Sequence, residues 1–259
     1  MSTRREVIHL EDVWAGYDGR PVLEGINLSV KERDFVGIIG PNGGGKTTLL
    51  MVMLGLIQPT RGRVRVLGQS ATQGRHFIGY VPQQVDFDRD FPVNVWDVAL
   101  MGRLGQRGLL HRYTPEDRRA VARALQQVEM LDMKDWPISE LSVGQRQRIY
   151  VARALATEPK ILFLDEPTAS VDSRITNSIY ELLQKLNEHV TILLISHDMS
   201  AISSHVKTVG CLNRRLFYHE SREITPEMLG EAYRCPIDLI AHGVPHRVFA
   251  QHHEEEVEV

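Results

Sequence analysis

A glycine-rich segment has the composition and spacing needed to hold a triphosphate: Gly40, Pro41, Asn42, Gly43, Gly44, Gly45, Lys46 and Thr47. The glycines let successive backbone N–H groups point at phosphate oxygens, and the positive end of a following helix attracts the same anion. We expect Lys46 to contact the β- and γ-phosphates, the Thr47 hydroxyl to ligate Mg²⁺, and Thr48 to donate near the α-phosphate. A merely structural glycine turn is the alternative, and the complete spacing ending in Lys-Thr disfavours it.

Two adjacent carboxylates, Asp165 and Glu166, follow the four apolar residues 161–164. Asp165 is predicted to hold Mg²⁺, directly or through water. Glu166 is then placed to orient and polarise an attacking water, because hydrolysis of a γ-phosphate depends on positioning and charge stabilisation. An Asp-Glu pair after a strand is often only a turn, and the phosphate-binding segment makes that reading the weaker one.

Several classes of nucleotide enzyme share such a phosphate loop, including GTPases and small-molecule kinases. The chain contains no Asn-Lys-x-Asp tetrapeptide of the kind that reads guanine, which disfavours a GTPase. The remaining motifs have to decide between the other classes.

The elements around these residues predict an α/β fold, a P-loop NTPase core with a mainly parallel sheet. Three short apolar runs, residues 35–39, 161–164 and 191–195, lack polar alternation, as expected for strands covered by helices on both faces. The first run leads through the glycine segment into a helix predicted over residues 46–57. Alternating residues at 6–13 and 26–30 predict an N-terminal antiparallel β part.

Residues 85–156 predict an α-helical insert, which leaves a core of about 1–84 and 157–220. Thr114 can cap a helix whose first turn holds Pro115 and Asp117, and a short helix is expected from Val95. The segment 85–112 is rich in glycine, arginine and aromatic residues and is a candidate contact surface. Residues 221–259 form an extension of uncertain structure, whose scattered histidines are favoured as surface residues rather than a metal site.

The bulk composition excludes several function classes. A formal net charge of -3 gives no overall basic field for nucleic acid. No apolar run approaches the ~20 residues that span a bilayer, and charges interrupt the N-terminal segment where a signal peptide needs an apolar stretch. The two cysteines fit a reducing cytoplasm.

The most discriminating segment is Leu141-Ser142-Val143-Gly144-Gln145, which resembles the signature motif of the ATP-binding cassette (ABC) ATPases, the energy modules of ABC transporters. Other motifs of that family occur in the family's order: Tyr17, then Gln83 in Tyr-Val-Pro-Gln, then Asp172 in Ser170-Val171-Asp172, then His197 in Ile-Ser-His-Asp. The resemblance covers nearly all of residues 5–220. Val143 departs from the usual glycine, and we expect altered fit rather than lost binding.

The resemblance implies an ABC ATPase fold, ATP as substrate, Mg²⁺ as cofactor and ATP hydrolysis as the activity. It implies that Ser142, Gly144 and Gln145 contact ATP bound to a second copy of the chain, so that two copies form two composite sites. It assigns the adenine-stacking aromatic to Tyr17, an approach to Mg²⁺ or the water to Gln83, a γ-phosphate contact to His197, and the link between the two sites to Asp172. Glu166, Gln83 and His197 are then the candidate catalytic residues, and Thr47, Gln83 and Asp165 the candidate Mg²⁺ ligands.

The stretch 78–103 and the later segments 210–215 and 240–246 resemble the branch of ABC importers for zinc, manganese or iron(II). This implies a transmembrane permease partner, an extracytoplasmic solute-binding protein in the complex, no nucleic acid, and a peripheral location on the cytoplasmic face of the cell membrane. Three alternatives stay open: the ATPase of a haem, siderophore or cobalamin importer, a soluble ABC ATPase, and a non-hydrolysing regulatory ATP binder.

Overall fold

The computed structural model describes residues 4–83, 92–107, 112–168, 173–197, 202, 205–219, 237–242 and 244–249. Its strands are β1 (Glu6–Tyr17), β2 (Arg20–Lys31), β3 (Phe35–Ile39), β4 (Arg61–Val66), β5 (Gln69–Ser70), β6 (Ile78–Val81), β7 (Ile161–Asp165), β8 (Thr191–Ile195), β9 (Thr208–Asn213), β10 (Arg215–His219), β11 (Ile237–His242) and β12 (Val244–Phe249). Its α-helices are α1 (Lys46–Met53), α2 (Ala71–Gly74), α3 (Val95–Leu100), α4 (Leu104–Arg107), α5 (Pro115–Gln127), α6 (Val143–Leu155) and α7 (Ser173–Asn187).

The central sheet has the strand order β10-β9-β3-β8-β7-β6, and every pair except β9 with β10 is parallel. Every residue of β3, β7 and β8 is buried. One face of these strands packs against α6 and α7, whereas the other packs against α1 and the antiparallel strands β1 and β2, so helices alone do not cover both faces as the sequence predicted. The predicted mainly parallel α/β core is confirmed. The carboxyl ends of β3, β6, β7 and β8 therefore lie along one edge, where the phosphate-binding segment also begins.

The second sheet is antiparallel and has the order β2-β1-β4-β5. Its first two strands are longer than the sequence predicted, because the hairpin continues to the pair formed by Tyr17 and Arg20. Asp18 and Gly19 make the two-residue turn with positive φ angles of 49° and 73°, the backbone geometry that the right-handed twist of a hairpin favours. The antiparallel β part predicted at the N-terminus is confirmed.

Helix α1 is shorter than predicted and ends at Met53 rather than near residue 57. Gly55 has a φ of 67°, its N–H donates to the carbonyl of Val52, and the N–H of Leu56 donates to the carbonyl of Met51. These two bonds close the helix in a Schellman motif, which requires the left-handed conformation that glycine adopts without strain. The apolar run that continues past Leu54 does not prolong the helix.

The predicted helical insert contains α3, α5 and α6, which pack against one another in one hydrophobic core. Two capping boxes fix the starts of the longer helices: Thr114 with Asp117 before α5, and Ser142 with Gln145 before α6. Helix α6 therefore begins at Val143. The short helix predicted from Val95 is confirmed as α3.

A buried ion pair fastens the end of the α3 segment to α5. Arg103 Nε lies 2.9 Å from Asp117 Oδ1, and Arg103 also donates to the carbonyl of Ala156 at 2.9 Å. The second carboxylate oxygen of Asp117 accepts from the N–H and the hydroxyl of Thr114. A buried pair needs such additional hydrogen bonds to offset the loss of hydration, and both carboxylate oxygens of Asp117 have them.

In the C-terminal extension, β11 and β12 pair with each other as an antiparallel hairpin. Of the helices within the described ranges, none has the length and apolar character required to cross a bilayer.

Candidate functional site

The phosphate-binding segment forms the turn between β3 and α1, as predicted. Gly45 caps α1 with a φ of 97°, a conformation in which a residue with a side chain is strained. Lys46 is only 6% exposed, and its Nζ donates to the carbonyls of Gly40 and Pro41 at 3.0 Å each. The ammonium is thus held by the loop itself, beside the cavity that the loop residues line.

That space is a cavity of about 650 Å³, within the size range of cofactor sites. Most of its lining comes from the phosphate-binding segment, and the rest comes from residues that are distant in sequence. The lining residues are Val22, Gly40, Pro41, Asn42, Gly43, Gly45, Lys46, Thr47, Thr48, Gln83, Glu166 and His197.

The acidic pair lies at the carboxyl end of β7, where the parallel register places Asp165 opposite Ile195 of β8. Asp165 is 2% exposed, and the hydroxyl of Thr47 donates to its Oδ2 at 3.0 Å. Burial raises the pKa of Asp165, an effect that the Thr47 hydrogen bond and the charge of Lys46 partly offset. A hydroxyl and a buried carboxylate side by side are the oxygen ligands that Mg²⁺ prefers, so these residues fit the ion.

Glu166 lies at the centre of three of the predicted site residues. Its Oε2 accepts from Nε2 of Gln83 at 2.7 Å and lies 3.3 Å from Nδ1 of His197. Its Oε1 lies 3.7 Å from Nζ of Lys46. The structure therefore brings Gln83, Glu166 and His197 together in the wall of the cavity, next to Lys46.

Tyr80 is a neighbour of the acidic pair that the sequence analysis did not identify. Tyr80 lies on β6, which pairs with β7, and burial together with the nearby Asp165 raises its pKa to about 12. The signal was present in the sequence, since a polar aromatic residue in an otherwise apolar buried strand has to find a partner.

Tyr17, the predicted adenine-stacking residue, lies at the end of β1 and is 52% exposed. Among the described residues the cavity lining includes Val22 from the neighbouring strand β2, but not Tyr17. The exposed ring is available to a ligand that extends beyond the phosphate cavity, and its role stays a prediction.

Ser142, Gly144 and Gln145 lie at the start of α6 and do not line the cavity. Ser142 is exposed at the N-cap, and its side chain accepts from the N–H of Gln145 at 3.3 Å. A Cβ atom on Gly144 would lie 2.8 Å from Cγ2 of Ile175 on α7, so a larger residue there would require Ile175 to move. Val143, which departs from the family pattern, is 47% exposed and can occupy its position without such a clash.

The structure thus divides the predicted site residues into two groups. Those of the phosphate loop and the residues around Glu166 converge on one cavity, whereas the α6 residues present their donors elsewhere. Asp172, with Ser170 and Val171, lies outside the described residues.

Comparison with known protein families identifies one match, since the ABC transporter family model fits residues 23–169. The match spans the second half of the hairpin, the phosphate loop, the helical insert and the acidic pair.

Three curated relatives have printed names that describe metal transport. A "Probable metal transport system ATP-binding protein" of Chlamydia trachomatis serovar D is 44% identical over 207 residues, which are 80% of this chain and 84% of the relative. The "Zinc uptake system ATP-binding protein ZurA" of Listeria innocua serovar 6a is 37% identical and covers 83% of this chain and 86% of its own. The "Manganese transport system ATP-binding protein MntB" of Bacillus subtilis is 37% identical and covers 96% and 99%.

Two solved structures resemble the fold. One is described as an inward-facing conformation of a metal-chelate type ABC transporter, with a TM-score of 0.82, 26% identity, and coverage of 95% of this chain and 98% of that chain. The other is a dimeric post-hydrolysis state of an ATP-binding cassette bound to ADP and Pi, with a TM-score of 0.69, 29% identity, and coverage of 84% and 100%.

Proposed function

The chain belongs to the ABC transporter family as an ATP-binding, ATP-hydrolysing subunit, and from that premise we propose that it drives an importer of a divalent transition metal ion, zinc, manganese or iron. The observation that carries the enzymatic half of this proposal is the convergence of Lys46 and Glu166 on the one cavity that the phosphate-binding segment lines. The cargo half rests on the metal transport systems named for the relatives.

Hydrolysis would proceed within the cavity of one chain. Backbone N–H groups of the loop and Lys46 would hold the β- and γ-phosphates, with Thr48 near the α-phosphate. Glu166 would orient a water and accept its proton as the water oxygen bonds to the γ-phosphorus and the bond to the ADP oxygen breaks. Mg²⁺, held by Thr47 and Asp165, would supply charge neutralisation on the phosphates.

Gln83 and His197 would complete the wall around the γ-phosphate. Both lie within 3.3 Å of the same Glu166 oxygen and line the cavity that would hold the nucleotide. Their polar nitrogens would stabilise charge that develops on the γ-phosphate oxygens. Gln83 is in addition a candidate third ligand for Mg²⁺.

Closure would require a second copy of the chain. Ser142, Gly144 and Gln145 lie at the N-terminal end of the 13-residue helix α6, where backbone N–H groups and the helix dipole favour an anion. Because they lie outside the chain's own cavity, they are free to cap ATP bound by the partner copy. Two ATP molecules would then join two copies, with Tyr17 against each adenine and Asp172 linking the sites, and hydrolysis would loosen the pair.

The proposed partner is a transmembrane permease, which would hold the chain at the cytoplasmic face of the membrane alongside a solute-binding protein on the other side. Within the segment 85–112, Met101 is 40% exposed and Leu104 is 46% exposed, an apolar surface suited to a protein contact. We assign residues 1–84 and 157–220 to the nucleotide-binding core, 85–156 to the helical subdomain and 221–259 to an extension.

A second candidate cargo is a metal chelate such as haem, a siderophore or cobalamin. The structural resemblance to a metal-chelate type transporter favours it, with a TM-score of 0.82. The identity of 26% is lower than the 37% to 44% shared with the relatives named for metal transport, so the free ion is the better supported cargo.

Phosphate release by the purified chain with MgATP tests the enzymatic half. We expect turnover in wild type and its loss in Lys46→Ala, in which weaker nucleotide binding follows from removal of the ammonium that faces the phosphates. Equal turnover in both proteins would refute the assignment of the site. For the cargo, the chain and its permease in vesicles should accumulate radioactive zinc, manganese or iron, and accumulation of a haem or cobalamin complex alone would favour the second candidate.

A further inference from the structure

Gln147 is a residue of α6 that the mechanism above does not use. Its side chain is half-buried, and its Nε2 donates a hydrogen bond to the backbone carbonyl of Pro167, 20 residues further along the chain. Pro167 is buried and directly follows Glu166. A side chain of α6 is thus hydrogen-bonded to the backbone of the residue that follows the proposed catalytic carboxylate, Glu166.

The position of Gln147 is fixed by how α6 packs. At Gly144 the helix approaches Ile175 of α7 so closely that a Cβ would lie 2.8 Å from its Cγ2. Ile149 and Val151 of the same helix are fully buried in the core. These contacts before and after Gln147 hold α6 against the core in the position from which the amide reaches Pro167.

The backbone at Glu166 needs such support. Its φ is 47°, in the left-handed region, where a residue with a side chain is strained. On one side the N–H of Glu166 donates to the carbonyl of Ile195 at 2.9 Å, which ties the residue to β8. On the other side the support is the bond from Gln147 to Pro167. A strained conformation persists only when its surroundings hold it from several directions.

We propose that Gln147 is a positioning residue for ATP hydrolysis: through the Pro167 carbonyl it holds the Glu166 backbone in the conformation that directs the carboxylate to Gln83 and His197. This inference rests on the proposed ATPase function and adds a residue to it.

The test is Gln147→Leu in the full chain, which keeps most of the side-chain volume and removes the donor. We expect kcat to fall about tenfold, since a small misplacement of a catalytic group has effects of that order, whereas the KM for MgATP stays within about twofold. The affinity for a fluorescent ATP analogue should be unchanged, because Lys46 and the loop are untouched. Gln184→Leu is the matched control, since Gln184 also donates to a backbone carbonyl, that of His205, but far from the cavity.

Gln147→Glu sharpens the test, because a carboxylate of the same shape places an acceptor against the Pro167 carbonyl. Its kcat should be lower than that of Gln147→Leu, at a thermal unfolding temperature close to that of the Leu variant. If both variants keep wild-type kcat, or if KM rises in step with the fall in kcat, the positioning role is refuted. Absence of phosphate release by wild type would instead refute the proposed function, so the two failures are distinguishable.

Discussion

Replacement of Glu166 by glutamine isolates the charge of the proposed water-orienting group from its shape. The carboxylate is 8% exposed and accepts from Gln83 at 2.7 Å. The amide fills the same volume, and its oxygen can still accept from Gln83. What disappears is the negative charge beside Lys46 and His197, and with it the ability to take a proton from water.

The size of each effect follows from these contacts. General acid–base groups contribute about 10²–10⁴-fold, so we expect kcat to fall at least about 100-fold, which corresponds to about 2.7 kcal/mol of activation free energy. The free energy of unfolding should change by only about 1 kcal/mol, because Lys46 keeps its bonds to the carbonyls of Gly40 and Pro41. For a domain of this size that shifts the melting temperature by no more than about 4 °C.

Three measurements check this prediction together. Phosphate release gives kcat, a fluorescent ATP analogue gives the affinity, and size-exclusion chromatography with MgATP gives the oligomeric state. Loss of one negative charge near the γ-phosphate leaves affinity equal or tighter, and unhydrolysed ATP should then accumulate a dimer. A Glu166→Gln variant that stays monomeric at saturating MgATP, or that retains wild-type kcat, would show that Glu166 has a different role.

Ser142→Arg should prevent the ATP-dependent dimer while leaving nucleotide binding by the single chain intact, and loss of the N-cap should lower the free energy of unfolding by about 1 kcal/mol. A dimer that still forms, as measured by size-exclusion chromatography with light scattering, would contradict composite sites. Asp165→Asn should raise the melting temperature of the nucleotide-free chain at neutral pH. The reason is that a carboxyl whose pKa is raised by folding contributes stability below its ordinary pKa and loses that contribution as the pH rises through the raised pKa. The advantage of the amide over the carboxylate should therefore vanish below pH ~4. Melting temperatures of both proteins across a pH series check this. Arg103→Met should lower the free energy of unfolding, measured by chemical denaturation, by about 3–5 kcal/mol, because it leaves the fully buried Asp117 without its cation. The control Arg119→Met, which removes an exposed ion pair on α5, should show no such loss.

Local sequence patterns predicted those helices and strands whose boundaries are set by residues close together in the sequence. The capping pair Thr114 and Asp117 fixes the start of α5, and the uninterrupted apolar runs fix the buried strands. The end of α1 was predicted wrongly, because the apolar residues after Leu54 continue the pattern while Gly55 closes the helix through backbone bonds. Hydrophobic periodicity reports which residues are buried, whereas a Schellman motif depends on one left-handed residue.

The sequence by itself determined the phosphate loop, the acidic pair and the family, because each is a contiguous motif whose chemistry follows from residue types at fixed spacing. Only the tertiary structure decided which distant groups meet: Gln83 and His197 reach one oxygen of Glu166, Thr47 reaches Asp165 across 118 positions, and Gln147 reaches Pro167. The physical reason is that the parallel sheet gathers the carboxyl ends of β3, β6, β7 and β8 along one edge. Strand order and helix packing, which no local pattern encodes, set those contacts.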